Sequence, residues 1–179
     1  MKNNIFTAAL MVLTSIFFIT SCAGVHVNHY ENEKPKLILE NFLNGDLEAY
    51  GIFQNRSGEV VKRFKCTMKA SWENNKGIID ETFYYSDGTT SKRIWVLLKT
   101  ADNKYVGTAG DVIGEALGET AGNAFNWKYV LDIPLEKSTI HVSMNDWMYL
   151  VDDKVIINKT EMTKFGFKVG EVTLTILKK

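Results

Sequence analysis

The stretch RFKCTMKASW, residues 63–72, alternates without a break. Phe64, Cys66, Met68, Ala70 and Trp72 take one side, and Arg63, Lys65, Thr67, Lys69 and Ser71 the other. A period of two describes an extended strand with one face buried and one in water, because successive side chains of a strand point to opposite faces. The cluster Asn74-Asn75-Lys76-Gly77 then turns the chain, and Ile79, Glu81, Phe83 and Tyr85 begin a second alternation that Ser86-Asp87-Gly88 ends.

The same pattern recurs in both directions. Strands are predicted at 46–54, 92–99, 104–110, 126–133, 138–144, 154–162 and 171–178, punctuated by Asp102-Asn103, Pro134 to Lys137, Asp152-Asp153 and Gly166 to Gly170. Short antiparallel strands joined by tight turns, with 2 prolines in the chain, imply a closed barrel or a sandwich. A barrel also removes the edges that one open sheet of this size would have to protect. The expectation is an all-β, antiparallel, closed barrel of about 8–10 strands, lipocalin- or calycin-like, occupying 37–179 as a single domain. Leu37 to Leu43 reads as a helical turn or two, and Asp146-Trp147-Met148-Tyr149 as a corner where a strand bends.

Residues 114–122, GEALGETAG, fit less easily. A helix would carry three interior glycines at about 3 kcal/mol relative to alanine. A strand would leave one face almost without side chains, so that a packed side chain or a ligand could approach the backbone. The extended form is favoured.

The N-terminus is of another kind. Lys2 precedes a run from Ile5 to Ile19 that is free of charge and too short for a membrane-spanning helix, which needs about 20 residues. It ends in Ile19-Thr20-Ser21-Cys22, which resembles the lipobox of bacterial lipoproteins. That resemblance implies a signal peptide over 1–21, lipid on Cys22, and a lipidated linker over 22–36. Ala23 in place of Asp implies, by resemblance to Gram-negative lipoproteins, transport to the outer membrane, facing the periplasm. Several acyl chains would make the attachment effectively permanent. Cys66 is then the one remaining thiol of the 2 cysteines, so no internal disulfide is expected.

Further stretches carry a broader resemblance: GIFQNRSGEVVKRF (51–64), ETFYYSDG (81–88), GTAGDVIGEALG (107–118), GNAFNWKY (122–129), NDWMYLVDD (145–153) and NKTEMTKFGFKVGEVTLTI (158–176). Together they are similar to a family of uncharacterised proteobacterial lipoproteins, classed as a domain of unknown function. Members look like lipocalin-type barrels and are often encoded near enzymes that modify membrane fatty acyl chains, such as cyclopropane synthases. The resemblance implies lipid-related envelope work by association only. At Asn145-Asp146 the family pattern would have two consecutive acids, which argues against a need for both as carboxylates.

The formal net charge is +0, which gives no electrostatic case for nucleic acid. His26 and His29 form an H-x-x-H pair in the linker, a poor metal site with two ligands, and neither metal nor cofactor is expected. No G-x-S-x-G, P-loop, H-E-x-x-H or C-x-x-C occurs, and His141 lies on a polar face. A mechanism using Glu81 and Asp111 as acid and base is conceivable, but nothing in the spacing specifies one. Glu81 and Arg93 both fall on apolar faces and would need each other there, since an unpaired buried charge is costly; they are read as an anchor for a ligand head group, as a satisfied ion pair, or, with the facing inverted, as two residues in water. The candidate ligand-binding residues are Glu81, Arg93, Trp95, Asp111, Asn123, Trp127, Tyr129 and Trp147. The expected protein is a monomeric, lipid-anchored barrel holding a small apolar or amphipathic, fatty-acyl-like ligand. The alternatives are a filled barrel serving as an envelope interaction module and, behind it, a lipid-modifying enzyme. Ligand binding requires a cavity of several hundred Å³, whereas a filled barrel would bring Trp72, Trp95 and Trp127 together without a void.

Overall fold

The computed structural model describes residues 24–135 and 138–179. Ten strands follow one another in antiparallel order: β1 (Gly45–Asn55), β2 (Val60–Glu73), β3 (Lys76–Tyr85), β4 (Thr90–Ala101), β5 (Lys104–Thr108), β6 (Ala116–Ala121), β7 (Ala124–Pro134), β8 (Thr139–Leu150), β9 (Val155–Lys164) and β10 (Phe167–Lys178). Each pairs with its sequence neighbours, and β10 pairs with β1 to close the barrel. The alternation at 63–72 lies in β2, with Phe64, Cys66, Met68 and Ala70 buried inside. The expected corner at 146–149 is absent: β8 runs on to Leu150, and Asp146, Met148 and Leu150 continue the inward series begun by Met144. The predicted signal peptide and Cys22 lie outside the described residues.

Residues 116–121 are extended, and their nearly bare inner face has an occupant. A Cβ on Gly118 would run into the Trp127 and Phe125 rings, and one on Gly107 of β5 would come within 2.6 Å of Trp127. The glycines make room for an indole that lies flat on the backbone. Where β6 is too short to pair with the upper part of β7, the loop 109–115 takes over: Ile113 N–H donates to Val130 O, and Asp132 N–H to Asp111 O.

One end of the barrel is plugged. The single helical turn α1 (Leu39–Phe42) enters it, and Leu37, Leu39, Phe42 and Leu43 are almost completely buried there. The plug is fastened by polar contacts as well. Trp72 Nε1 donates to Leu43 O at 2.7 Å, and Tyr105 Oη to Glu40 Oε2 at 2.7 Å. The segment read as a linker is also docked in its described part. Val27, in a 3₁₀ turn (Val27–Tyr30), is buried, and the Tyr30 ring meets the Trp147 and Tyr149 rings edge-on from outside. A Cβ at Gly122 would collide with the Tyr30 carbonyl, while Leu37 N–H donates to Gly122 O at 2.8 Å. A polar, aperiodic stretch can dock in this way because a few anchors suffice, and they leave no period in the sequence. The opposite end carries the turns 56–59, 86–89 and 165–166, the loop 109–115, and the end of β7 with the start of β8, and it forms the mouth.

Candidate functional site

The barrel interior has two zones. Near the floor it is filled by a chain of rings, Trp72–Tyr105–Phe125–Trp127, with centroid separations of 6.3, 5.8 and 5.2 Å. Trp95 joins at 5.6 Å from Trp127 and 5.3 Å from Tyr129. Above this layer lies a cavity of about 170 Å³. Its walls are mainly apolar (Phe53, Phe64, Met68, Phe83, Met144, Leu174), and its polar groups converge from four strands: Glu81, Arg93, Asp146 and Asn158. The interior thus meets neither expectation in full. Trp95 and Trp127 touch as in a filled barrel and Trp72 joins them only through Tyr105 and Phe125, yet a void remains, smaller than several hundred Å³.

Glu81 sits opposite Arg93 in the β3–β4 register, and both point inward. They are not hydrogen-bonded to each other. Arg93 instead grips Asp111 of the mouth loop: Nε lies 3.0 Å from both carboxylate oxygens and Nη2 2.6 Å from Oδ2. Its guanidinium is also 5.7 Å from the centroid of Phe83 and 5.9 Å from that of Trp95. A two-pronged pair of this kind holds the guanidinium in one orientation. Glu81 Oε2 is buried with no hydrogen-bond partner among the described residues. Burial pushes the Glu81 carboxyl up to about 7, against the opposing influence of the Arg93 charge.

A second carboxylate faces the same space. Asp146 is buried and is held by Asn158 Nδ2 and by Tyr129 Oη, the latter at 3.3 Å. Asn158 Nδ2 also reaches Trp147 O at 3.0 Å, and Thr160 Oγ1 donates to Asn158 Oδ1 at 3.4 Å. Burial raises Asp146 to about 6, while bonds from Asn158, Thr160 and Tyr129 restrain the rise. The Tyr129 hydroxyl is pushed well above its usual range by burial and by Asp146. Two acids with raised pKa values and an anchored guanidinium, framed by aromatic rings, can bind a polar head and exchange a proton with it near neutral pH.

Of the candidates, Glu81, Arg93, Trp95, Trp127 and Tyr129 line the cavity. Asp111 reaches it only as the partner of Arg93, from the loop. Asn123 belongs to the floor turn, where its amide donates to Leu150 O. Trp147 faces outward, stacked on Tyr149 at 5.9 Å and covered by Tyr30. Asp146 was missed as a site residue, although its spacing from Met144 and Met148 carries the signal. Asn145, beside it, points outward and accepts from Asn126 Nδ2 at 2.9 Å. Where two consecutive acids were expected, the inward position keeps its carboxylate and the outward one does without. Cys66 lies in the cavity wall with its thiol pushed up by burial. Among the described residues no cluster of three or more His, Cys, Asp or Glu side chains could hold a metal ion.

A closed antiparallel barrel plugged at one end, with a polar-centred cavity at the other, is a lipocalin-like barrel, and solved structures of that shape resemble it. The S-type phycobiliprotein lyase CPES from Guillardia theta superposes with a TM-score of 0.56 at 7% identity, over 76% of this chain and 88% of that one. A protein of unknown function from the DUF3598 family of Nostoc punctiforme superposes with a TM-score of 0.50 at 16% identity. That match covers 88% of this chain and 53% of the other, so this chain spans about half of its length. These likenesses show the fold. Residues 16–178 match the model for proteins of unknown function DUF3833, and the chain belongs to that family. No curated protein matches it.

Proposed function

We propose that the upper half of the barrel binds a slender amphipathic molecule, a fatty-acyl-like ligand whose head group meets Glu81. The observation that carries this reading is the unpartnered, buried Glu81 Oε2 beside a guanidinium already committed to Asp111. A buried polar atom without a partner is costly, and a ligand donor or acceptor would relieve it. With Glu81 near half-protonation at neutral pH, a carboxylate head could accept its proton as a hydrogen bond within the field of Arg93. The likeness to a phycobiliprotein lyase supports a binding role only through shared fold. A void of about 170 Å³ is below the roughly 300–1,000 Å³ of ordinary ligand pockets. A single chain entering from the mouth suits it better than a bulky ring system.

On this reading the chain is a monomeric lipoprotein held by Cys22 at the outer membrane, where such ligands partition. The test is native mass spectrometry with lipid extraction on the full chain released gently from bacterial envelopes. An amphiphile of defined mass is expected on the parent and depleted on Glu81→Leu. A clean apo mass, persisting after incubation with total membrane lipid, would overturn the reading.

A further inference from the structure

Two strands of the barrel stop short of the mouth. β5 ends at Thr108 and β6 begins at Ala116, whereas β4 starts at Thr90 and β7 runs to Pro134. The β4–β5 register reaches no further toward the mouth than Val96–Thr108, and the β6–β7 register no further than Leu117–Lys128. Over residues 90–95, β4 therefore has a strand ladder to β3 alone, and over 130–134 β7 has one to β8 alone. Residues 109–115 cross the gap between them as a strap.

The two edges of the strap are fastened unequally. On the β7 side stand backbone bonds, Ile113 N–H to Val130 O and Asp132 N–H to Asp111 O, both at 2.9 Å, with Val112 bridged to Leu131. On the β4 side no backbone hydrogen bond joins 109–115 to 90–95 among the described residues. The Arg93–Asp111 ion pair spans that seam, at the place where the register carried on from Val96–Thr108 would set a facing pair. Its side chains are 23% and 39% exposed, so water and salt reach it. Just inside the seam the cavity wall is Arg93 and Trp95 of β4 and Tyr129 and Leu131 of β7, with Glu81 beside Arg93. From the strap, Ala109 and Val112 pack against this interior with small side chains. Outside, Ile94 and Ile113 are exposed and give the seam apolar edges. Gly114, at the far end of the strap, has φ 68° and open space around it, a natural pivot. A segment bonded along one edge and latched by a single wet ion pair on the other parts most readily at the latch.

We propose that the mouth opens at this seam: Asp111 leaves Arg93, the strap 109–115 swings away from β4, and an acyl chain passes between β4 and β7 to reach Glu81. As a ligand route this rests on the binding reading above, while the motion of the strap does not depend on it.

The test measures entry into the cavity without presuming a ligand. Cys66 lies buried in the cavity wall, so a maleimide labels it only when the barrel opens. The full-length parent and Asp111→Leu, which keeps the bulk and removes the charge, are treated with N-ethylmaleimide and with the bulkier N-pyrenylmaleimide. Labelling of Cys66 is read by peptide mass, and backbone hydrogen exchange is mapped on both proteins. Asp111→Leu should speed labelling about tenfold with the small reagent and more with the large one, since loss of a hydrogen-bonded ion pair shifts the opening equilibrium by that order. A freed Arg93 charge acting on the thiol alone would speed both reagents equally. Exchange should rise over 90–95 and 109–115 and stay unchanged at the turns 56–59, 86–89 and 165–166. In the parent itself, the Ile113 amide should exchange at least about tenfold faster than the β7 amides bonded to β8, a comparison that needs no variant to fold. Unchanged labelling, equal acceleration of both reagents, exchange raised equally at the three turns, or a parent strap as protected as the β7–β8 ladder would each overturn the proposal. A chain that shows the expected rates yet extracts with no amphiphile would keep the gate and lose the ligand reading.

Discussion

At the scale of single residues, Glu81 governs both the proposed chemistry and the response to pH. Its carboxyl titrates near 7 in the folded barrel against an ordinary value of 4.5. Between those values the native chain keeps a proton that the unfolded chain has lost, so stability falls as pH rises through the window. The fall amounts to about 3 kcal/mol at about 1.4 kcal/mol per unit. Asp146 adds a slope of the same sign between its ordinary 3.8 and about 6. Glu81→Gln should therefore flatten the fall between pH 6 and 7, where Asp146 contributes little, and raise stability at pH 8; denaturant titrations of both proteins across pH 5–8 would show it. At the β9–β10 turn Phe165 has φ 51° and is 88% exposed. Phe165→Asn should also stabilise the chain in solution, by about 0.5–1 kcal/mol, since asparagine tolerates the left-handed turn and no buried contact is lost. A lower melting temperature for that variant would contradict this account of the turn. Glu81 and Arg93 were legible from alternation alone. The Arg93–Asp111 pair was not, because a loop residue carries no period and its partner is set by where the loop folds.

At the scale of elements, the pairing of a bare strand with a large ring organises the floor. Gly107 on β5 and Gly118 on β6 leave a shallow recess, and Trp127 of β7 fills it. Gly118→Val would force the indole and the Phe125 ring aside, at about 1–3 kcal/mol or more, a fall in Tm of roughly 5 °C. Differential scanning calorimetry would measure it, and a near-zero change would mean that the ring has room elsewhere. The glycine spacing showed that something must lie close to that face. It did not say what, because the occupant comes from the next strand and its identity depends on register. Register also explains Trp147. Residues 146 and 147 are neighbours in the chain but face opposite sides of the sheet, and reading a bend there exchanged inside for outside. Had the alternation from Met144 been carried through to Leu150, Asp146 would have fallen inside and Trp147 outside.

At the scale of the whole molecule, the chain before β1 acts as a stopper, not a spacer. Leu37, Leu39, Phe42 and Leu43 bury four large side chains that the barrel alone would expose, at about 1.5–3 kcal/mol each. A chain beginning at Gly45 should consequently lose cooperative unfolding and bind a hydrophobic dye, whereas one beginning at Gly24 should melt sharply; dye fluorescence on the two distinguishes them. The stopper's polar clasp contributes as well, through Glu40 with Tyr105 and Lys99. The closing seam has a consequence of another kind. Nine of the ten strand pairings join neighbours along the chain, but Leu47 meets Lys178 only after everything between them has been laid down. Until then β1 and β10 each present an unpaired backbone ladder. A polypeptide emerging from one end to the other, at a ribosome or across a membrane, therefore cannot complete the ring early. Its self-association hazard is concentrated in that interval, and a clipped or late β10 would turn a solitary barrel into a template for joining strand to strand with its own kind.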